Sequence, residues 1–168
     1  MPVSIVLATP ADIPLLQQLA RRIWLSHYPG IITVEQIEYM LAQGYTAEVI
    51  EREMTEESIT WLKVVDDGNA IGFAAFGPHG EEQVKLHKLY LEVGRHGQGI
   101  GSAVLRELEQ RIVGTGADSI VLNVNKYNHK AIKSYQRNGY QVAEEVINDI
   151  GNGFVMDDYV MKKVLPMA

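Results

Sequence analysis

The chain has 168 residues, of which 46% are apolar and 21% charged, with a formal net charge of −6 and no cysteine. Composition and length are those of a one-domain globular chain; they exclude disulfides, thiolate metal sites and a cysteine nucleophile, and an acidic chain lacks the basic face that nucleic acid requires. No apolar run nears the roughly 20 residues that span a bilayer, and no basic stretch followed by an apolar one marks a secretory signal, so a cytoplasmic protein with no membrane or nucleic-acid partner is expected.

In chain order, residues 3–7 form a short apolar strand. Thr9-Pro10-Ala11-Asp12 then reads as a helix start, with a capping hydroxyl, a proline in the first turn and an acid three residues after the cap. Leu15, Leu16, Leu19 and Ile23 recur at helical spacing. A turn-rich aromatic stretch, Trp24 to Gly30, follows. Thr33 and Gln36 make a second capping pair, Ile37, Met40 and Leu41 an apolar stripe, and Gly44 a stop. A third short helix covers 47–54. From Ser58 the period changes: strands at 59–65 and 70–76 are joined by Asp66-Asp67-Gly68-Asn69, a hairpin signal. Residues 83–91 are the next strand. Ile100, Val104, Leu105, Leu108 and Ile112 mark a long helix that Gly114 and Gly116 end. Residues 120–124 alternate as a strand, Asn128 caps a helix stopped by Gly139, and a strand near 140–142 and a hairpin around Gly151-Asn152-Gly153 close the chain. The order β-α-α-α-β-β-β-α-β-α-β-β predicts one α/β (α+β) domain over residues 1–168. Its central sheet is mixed, mostly antiparallel, and flanked by helices on both faces.

Between strand 83–91 and the long helix lies Arg95-His96-Gly97-Gln98-Gly99-Ile100-Gly101-Ser102. Gly94, Gly97, Gly99 and Gly101 leave the backbone bare at a helix N-terminus, where amides without intrahelical partners and the helix dipole favour an anion, here a phosphate. A Rossmann turn is excluded because the sixth position from Gly97 is Ser102. A P-loop is excluded because the chain has no Gly-Lys pair. The plain alternative is a glycine-rich turn that only lets strand and helix pack closely.

The loop resembles the acetyl-CoA pyrophosphate loop of the GNAT N-acetyltransferase superfamily, Q/R-x-x-G-x-G/A, with His96 at the first position and Gly99 and Gly101 at the glycine positions. A second signature of that superfamily, N-x-x-A-x-x-x-Y-x-x-x-G-F/Y, is matched by Asn128, Ala131, Tyr135, Gly139 and Tyr140. Both ends also resemble the superfamily, its first strand and helix and its closing hairpin, so nearly the whole chain is covered. Segments 88–102 and 149–163 are similar to the bacterial polyamine-acetyltransferase-like branch.

The resemblance implies an acetyl-CoA-dependent N-acetyltransferase that moves an acetyl group to a primary amine, a small polyamine or diamine, by direct attack in a ternary complex. A protein N-terminal or lysine acetyltransferase and a non-catalytic CoA-binding regulatory module are the alternatives. It places Leu89, Tyr90 and Leu91 along the pantetheine arm. It places the pyrophosphate over His96, Gly97, Gln98, Gly99, Ile100, Gly101 and Ser102, and sets Asn128 and Tyr135 toward the pantetheine and sulfur, with Tyr135 as general acid. The plain readings are a packed aromatic for Tyr135 and a helix cap for Asn128.

Acyl transfer to an amine needs a neutral nucleophile, a stabilised oxyanion and a protonated leaving sulfur. An amine of pKa about 10.4 is only about 0.04% neutral at pH 7, so a base or a desolvating pocket must supply it. Many GNAT enzymes use a glutamate on the strand before the loop; that position falls on Lys85 here. His87, two residues on and so on the same strand face, has a suitable reference pKa. Glu81, Glu82 and a water chain remain as other sources. Trp24 and Tyr28 offer aromatic faces to an ammonium. Asp157 and Asp158 offer carboxylates, of which one faces solvent because strand neighbours alternate. The five histidines show no metal-ligand spacing, so no metal is expected. A homodimer is left open.

Overall fold

The computed structural model describes residues 3–95 and 99–166. They form two compact units, one running up to Gly77 and resuming over His87–Glu107, the other made of Pro78–Leu86 and the chain from Leu108 onward.

The first unit contains β1 (Val3–Leu7), α1 (Ile13–His27), α2 (Val34–Gly44), α3 (Ala47–Thr55), β2 (Thr60–Asp66), most of β3 (Asn69–His79) and the end of β4 (Gln83–Leu91). A 3-10 turn at Pro10–Asp12 leads into α1, and the Thr9 amide donates to Asp12 at 2.9 Å. Thr33 accepts from the Gln36 amide at 3.1 Å, and Thr46 from that of Val49 at the same distance. Such caps are worth about 1 kcal/mol each. Asp67 and Gly68 have φ of +51° and +81°, the two-residue type I′ turn that suits a twisted hairpin. Leu16, Leu19, Ile23, Trp24, Ile37 and Ile50 from the three helices pack on Trp61, Phe73 and Ala75 of the strands. Leu62, Val64 and Ala74 are fully buried on the other face, so β2 and β3 are covered on both sides.

One irregularity in β3 positions β4. Val64 pairs with Gly72 but Val65 with Ala70, so Ile71 is an extra residue in the ladder. Its carbonyl accepts from the Glu92 amide at 2.8 Å. At Gly72, a Cβ would stand 2.3 Å from the Tyr90 carbonyl oxygen. The end of β4 thus lies where only glycine lets it lie.

The second unit contains the start of β4, β5 (Ser119–Asn125), α5 (His129–Arg137), β6 (Gln141–Gly151) and β7 (Phe154–Val164); α4 (Ile100–Val113) begins in the first unit and ends here. The start of β4 pairs in parallel with β5 through Gln83, Val84 and Lys85. β5 pairs antiparallel with β7, and β7 with β6. The full strand order is β1-β2-β3-β4-β5-β7-β6, a mixed, mostly antiparallel sheet. The element order is the expected one, but β6 extends over 11 residues instead of ending near residue 142. Among the described residues no helix is long and apolar enough to cross a membrane.

Candidate active site

In the first unit, β4 delivers the chain toward the glycine loop and α4 leaves it. The Ala103 amide bonds the Gly99 carbonyl at 3.1 Å, which puts Ile100, Gly101 and Ser102 in the first turn of a 14-residue helix. Gly99 has φ +76°, and a Cβ there or at Gly94 would meet nothing within 4 Å among the described residues. At Gly101 it would meet only Leu91 Cδ1, at 3.7 Å. Among the described residues strand–helix packing demands none of these three glycines, only the positive φ of Gly99 favours one, and the backbone at the helix N-terminus is left open. Arg95, at the loop's edge, forms an ion pair with Asp66 of β2. His96, Gly97 and Gln98 lie outside the described residues.

Trp24 and Tyr28 are buried side chains. They are 5% and 7% exposed and sit in an aromatic cluster with Tyr45, Trp61, Phe73 and Tyr90. The Tyr28 and Tyr90 hydroxyls meet at 3.2 Å. The chain's own Lys88 ammonium lies 5.1 Å from the centre of the Tyr45 ring and 5.3 Å from that of Trp61. Glu53, which accepts from the Trp61 indole at 3.0 Å, has its pKa raised by burial, with Lys88 pulling it down. Burial also holds the Tyr45 phenol well above its ordinary value. Of the base candidates, His87 is exposed on β4, and Glu81 and Glu82 are exposed in the turn before it. Lys85 is half-buried.

In the second unit the Asn-Ala-Tyr-Gly-Tyr signature builds one short helix. Asn128 is buried and caps α5 by accepting from the Ala131 amide at 3.4 Å. Gly139 ends the helix with φ +93°. Tyr140 is fully buried; its hydroxyl donates to Glu109 at 2.8 Å, and Lys163 closes the network by donating to Glu109 at 3.0 Å. Tyr135 leans edge-on to Tyr140, ring centres 5.5 Å apart. Burial pushes the Tyr135 pKa up to about 12. Four signature residues thus serve the helix and its anchorage, and Tyr135 is presented by them.

Asp157 and Asp158 part company. Asp157 pairs with the Lys126 ammonium at 2.9 Å, which Glu145 also holds at 3.1 Å. Those carboxylates hold the lysine pKa above its usual value. Asp158 is 4% exposed, and its Oδ1 has no hydrogen-bond partner among the described residues. What separates the two acids is that Asp157 Oδ1 lies against the Lys126 ammonium, whereas Asp158 Oδ1 lies against no donor among the described residues.

The profile of the Acetyltransferase (GNAT) family matches residues 18–140, a span that runs through both units. The chain belongs to that family. A spermidine N(1)-acetyltransferase of Thermoplasma acidophilum is 27% identical over 150 residues, covering 87% of this chain and 90% of that one. An uncharacterised N-acetyltransferase of Mycobacterium tuberculosis is 25% identical over 150 residues, covering 89% and 96%. The crystal structure of the PaiA N-acetyltransferase from Thermoplasma acidophilum in complex with coenzyme A superposes with a TM-score of 0.81 at 26% identity, covering 98% of this chain and 99% of that one.

This GNAT chain is an N-acetyltransferase that uses acetyl-CoA. Its described loop residues fit the cofactor: a phosphate approaching the first turn of α4 meets open backbone at Gly99 and Gly101. Gly101→Val gives a clean check, because the protein itself has room for a Cβ there. The variant should fold as wild type yet bind CoA at least about tenfold more weakly, or about 1.4 kcal/mol. Titration calorimetry showing wild-type CoA affinity would take the pyrophosphate away from this loop.

Proposed function

We propose that the acceptor is a small polyamine or diamine, acetylated by direct attack in a ternary complex. The observation that carries this reading is the likeness to a spermidine N(1)-acetyltransferase along nearly the whole of both chains. The buried Asp158 carboxylate supports it, since a group with an unsatisfied oxygen is a natural partner for an ammonium. The absence of cysteine removes the commonest acyl-carrying nucleophile and favours direct transfer.

Bound acetyl-CoA supplies the activated acetyl group and a sulfur leaving group. In this reading the backbone of Leu89, Tyr90 and Leu91 runs along the pantetheine arm, and the loop amides through Ser102 hold the pyrophosphate. Tyr135 gives a proton to the departing sulfur. With its pKa near 12 the phenol is protonated throughout the neutral range, as a donor must be. Asn128 supports this by fixing the start of the helix that carries Tyr135.

A panel of amines with acetyl-CoA, read by thiol release, tests the acceptor. Spermidine should show a higher kcat/KM than a monoamine of similar length, and added salt should narrow the gap because screening weakens charge attraction. Equal rates on monoamines and polyamines, or a preference for a peptide N-terminus or lysine, would remove the polyamine reading and leave the acetyltransferase standing.

A further inference from the structure

β4 contains no aspartate or glutamate; its sequence is QVKLHKLYL. The carboxylates that flank it along the chain are Glu81 and Glu82, exposed in the preceding turn, and Glu92, which directly follows Leu91 and is paired with Arg22. A buried carboxylate stands elsewhere in the same sheet. The β5–β7 ladder sets Asn125 opposite Asp158, Asn123 opposite Val160 and Val121 opposite Lys162, while the β4–β5 ladder sets Lys85 opposite Val121. Cross-strand partners share a face and residues two apart share a face, so Lys85, Asn123 and Asp158 lie on one side of the sheet. Asp157 points to the other side, where Lys126 takes it.

The surroundings of Asp158 are those of a working acid–base group more than of a structural one. Buried polar atoms nearly always find a partner, in protein, water or ligand, and the described residues supply none to Asp158 Oδ1, which leaves that oxygen open to a donor such as an ammonium. Desolvation raises the carboxyl's pKa most; the Asn123 side chain lowers it, Asp157 raises it and Lys85 lowers it. The β6 neighbour, Val146, is apolar. The net shift is upward, toward the range in which a general base works best near neutrality.

We propose that Asp158 is the general base of this enzyme, its unpaired Oδ1 accepting a hydrogen bond from the acceptor ammonium and then taking one proton from it. The inference rests on the amine-acceptor reading above. Asp158 removes one proton from the ammonium. The nitrogen lone pair so released forms the N–C bond to the acetyl carbon, and the C–S bond breaks with its electron pair on sulfur. The sulfur takes the Tyr135 proton, and the surplus proton on the new amide nitrogen restores Tyr135. The proton on Asp158 passes to water and is the one net proton released.

Asp158→Asn in the full chain tests this, with spermidine and with butylamine as acceptors. The kcat should fall by about 10²-fold or more on both amines alike. The acidic limb of the wild-type kcat/KM profile, which protonation of Asp158 creates, should vanish. The variant's rate should instead climb with pH as the free amine deprotonates itself. CoA affinity by calorimetry should match wild type, and Asp158→Glu should keep an acidic limb. A kcat within about threefold of wild type, or an unchanged acidic limb, overturns the proposal. So does a loss confined to spermidine, which would make Asp158 an anchor for a distal ammonium. A readout independent of turnover and of any variant is the carbon-13 titration of the Asp158 carboxyl in CoA-free wild type. Its pKa should lie above the usual aspartate value and fall when spermidine binds; no response to spermidine overturns the proposal. Failure of the wild type to acetylate any amine removes the amine reading and this inference together, whereas wild-type amine turnover with an indifferent Asp158→Asn removes this inference alone.

Discussion

Tyr135→Phe should lower kcat by about 10²- to 10⁴-fold, the usual worth of positioned acid–base help, and leave CoA affinity nearly unchanged. The phenylalanine keeps the ring that leans on Tyr140, and Tyr140 is held independently by Glu109 and Lys163. Only the hydroxyl is lost, so a fall in kcat reads its chemistry and not its packing. The pH profile adds a second check. Burial raises the Tyr135 pKa to about 12, so the phenol stays protonated as pH rises through neutrality and is lost as a donor only near that value. Any alkaline limb of the wild-type profile below about pH 10 must therefore belong to another group, and Tyr135→Phe should leave its position unmoved. Steady-state kcat against pH, with CoA binding measured by calorimetry, decides the matter; an equally active variant would leave Tyr135 as packing alone.

What was legible in the sequence was what is decided within a few residues. Thr33 and Gln36 announced a helix start, Asp66-Asp67-Gly68-Asn69 a hairpin, and Gly139 a helix end, because each requirement is met by neighbours along the chain. The second signature was readable for the same reason: Asn128 caps through Ala131. The full length of β6 is not legible in the sequence because eight of its 11 residues are exposed and none is buried, so the alternation that betrays a strand is missing. The acceptor side was harder. Whether Trp24 and Tyr28 face solvent depends on Tyr45, Phe73 and Tyr90, which other elements bring to them. Alternation said that Asp157 and Asp158 point apart, but not which is buried. That follows from the β5 register and from Lys126, whose ammonium occupies Asp157.

Gly72→Ala should destabilise the protein and weaken CoA binding together, and nothing near Gly72 in the sequence says so. The requirement comes from β4: a Cβ at residue 72 would stand 2.3 Å from the Tyr90 carbonyl oxygen, 2.7 Å from Leu91 Cδ2 and 3.1 Å from Leu91 Cα. Two of those three atoms are backbone, so no side-chain rotation relieves the clash; the end of β4 must move or the Ile71 bulge must open. Overpacking of this kind costs about 1–3 kcal/mol or more, which for a chain of this size lowers Tm by about 2–4 °C per kcal/mol. Gly44→Ala is the matched control, because a Cβ there meets nothing within 4 Å and should leave Tm unchanged or slightly raised. The effect on CoA follows from which residues shift, since Leu89, Tyr90 and Leu91 are the stretch proposed to run along the pantetheine arm. Thermal melts and CoA titrations on the same preparations separate the two consequences. A wild-type Tm would refute the close approach of β3 and β4, and a lowered Tm with wild-type CoA affinity would mean that the end of β4 does not set the cofactor's position.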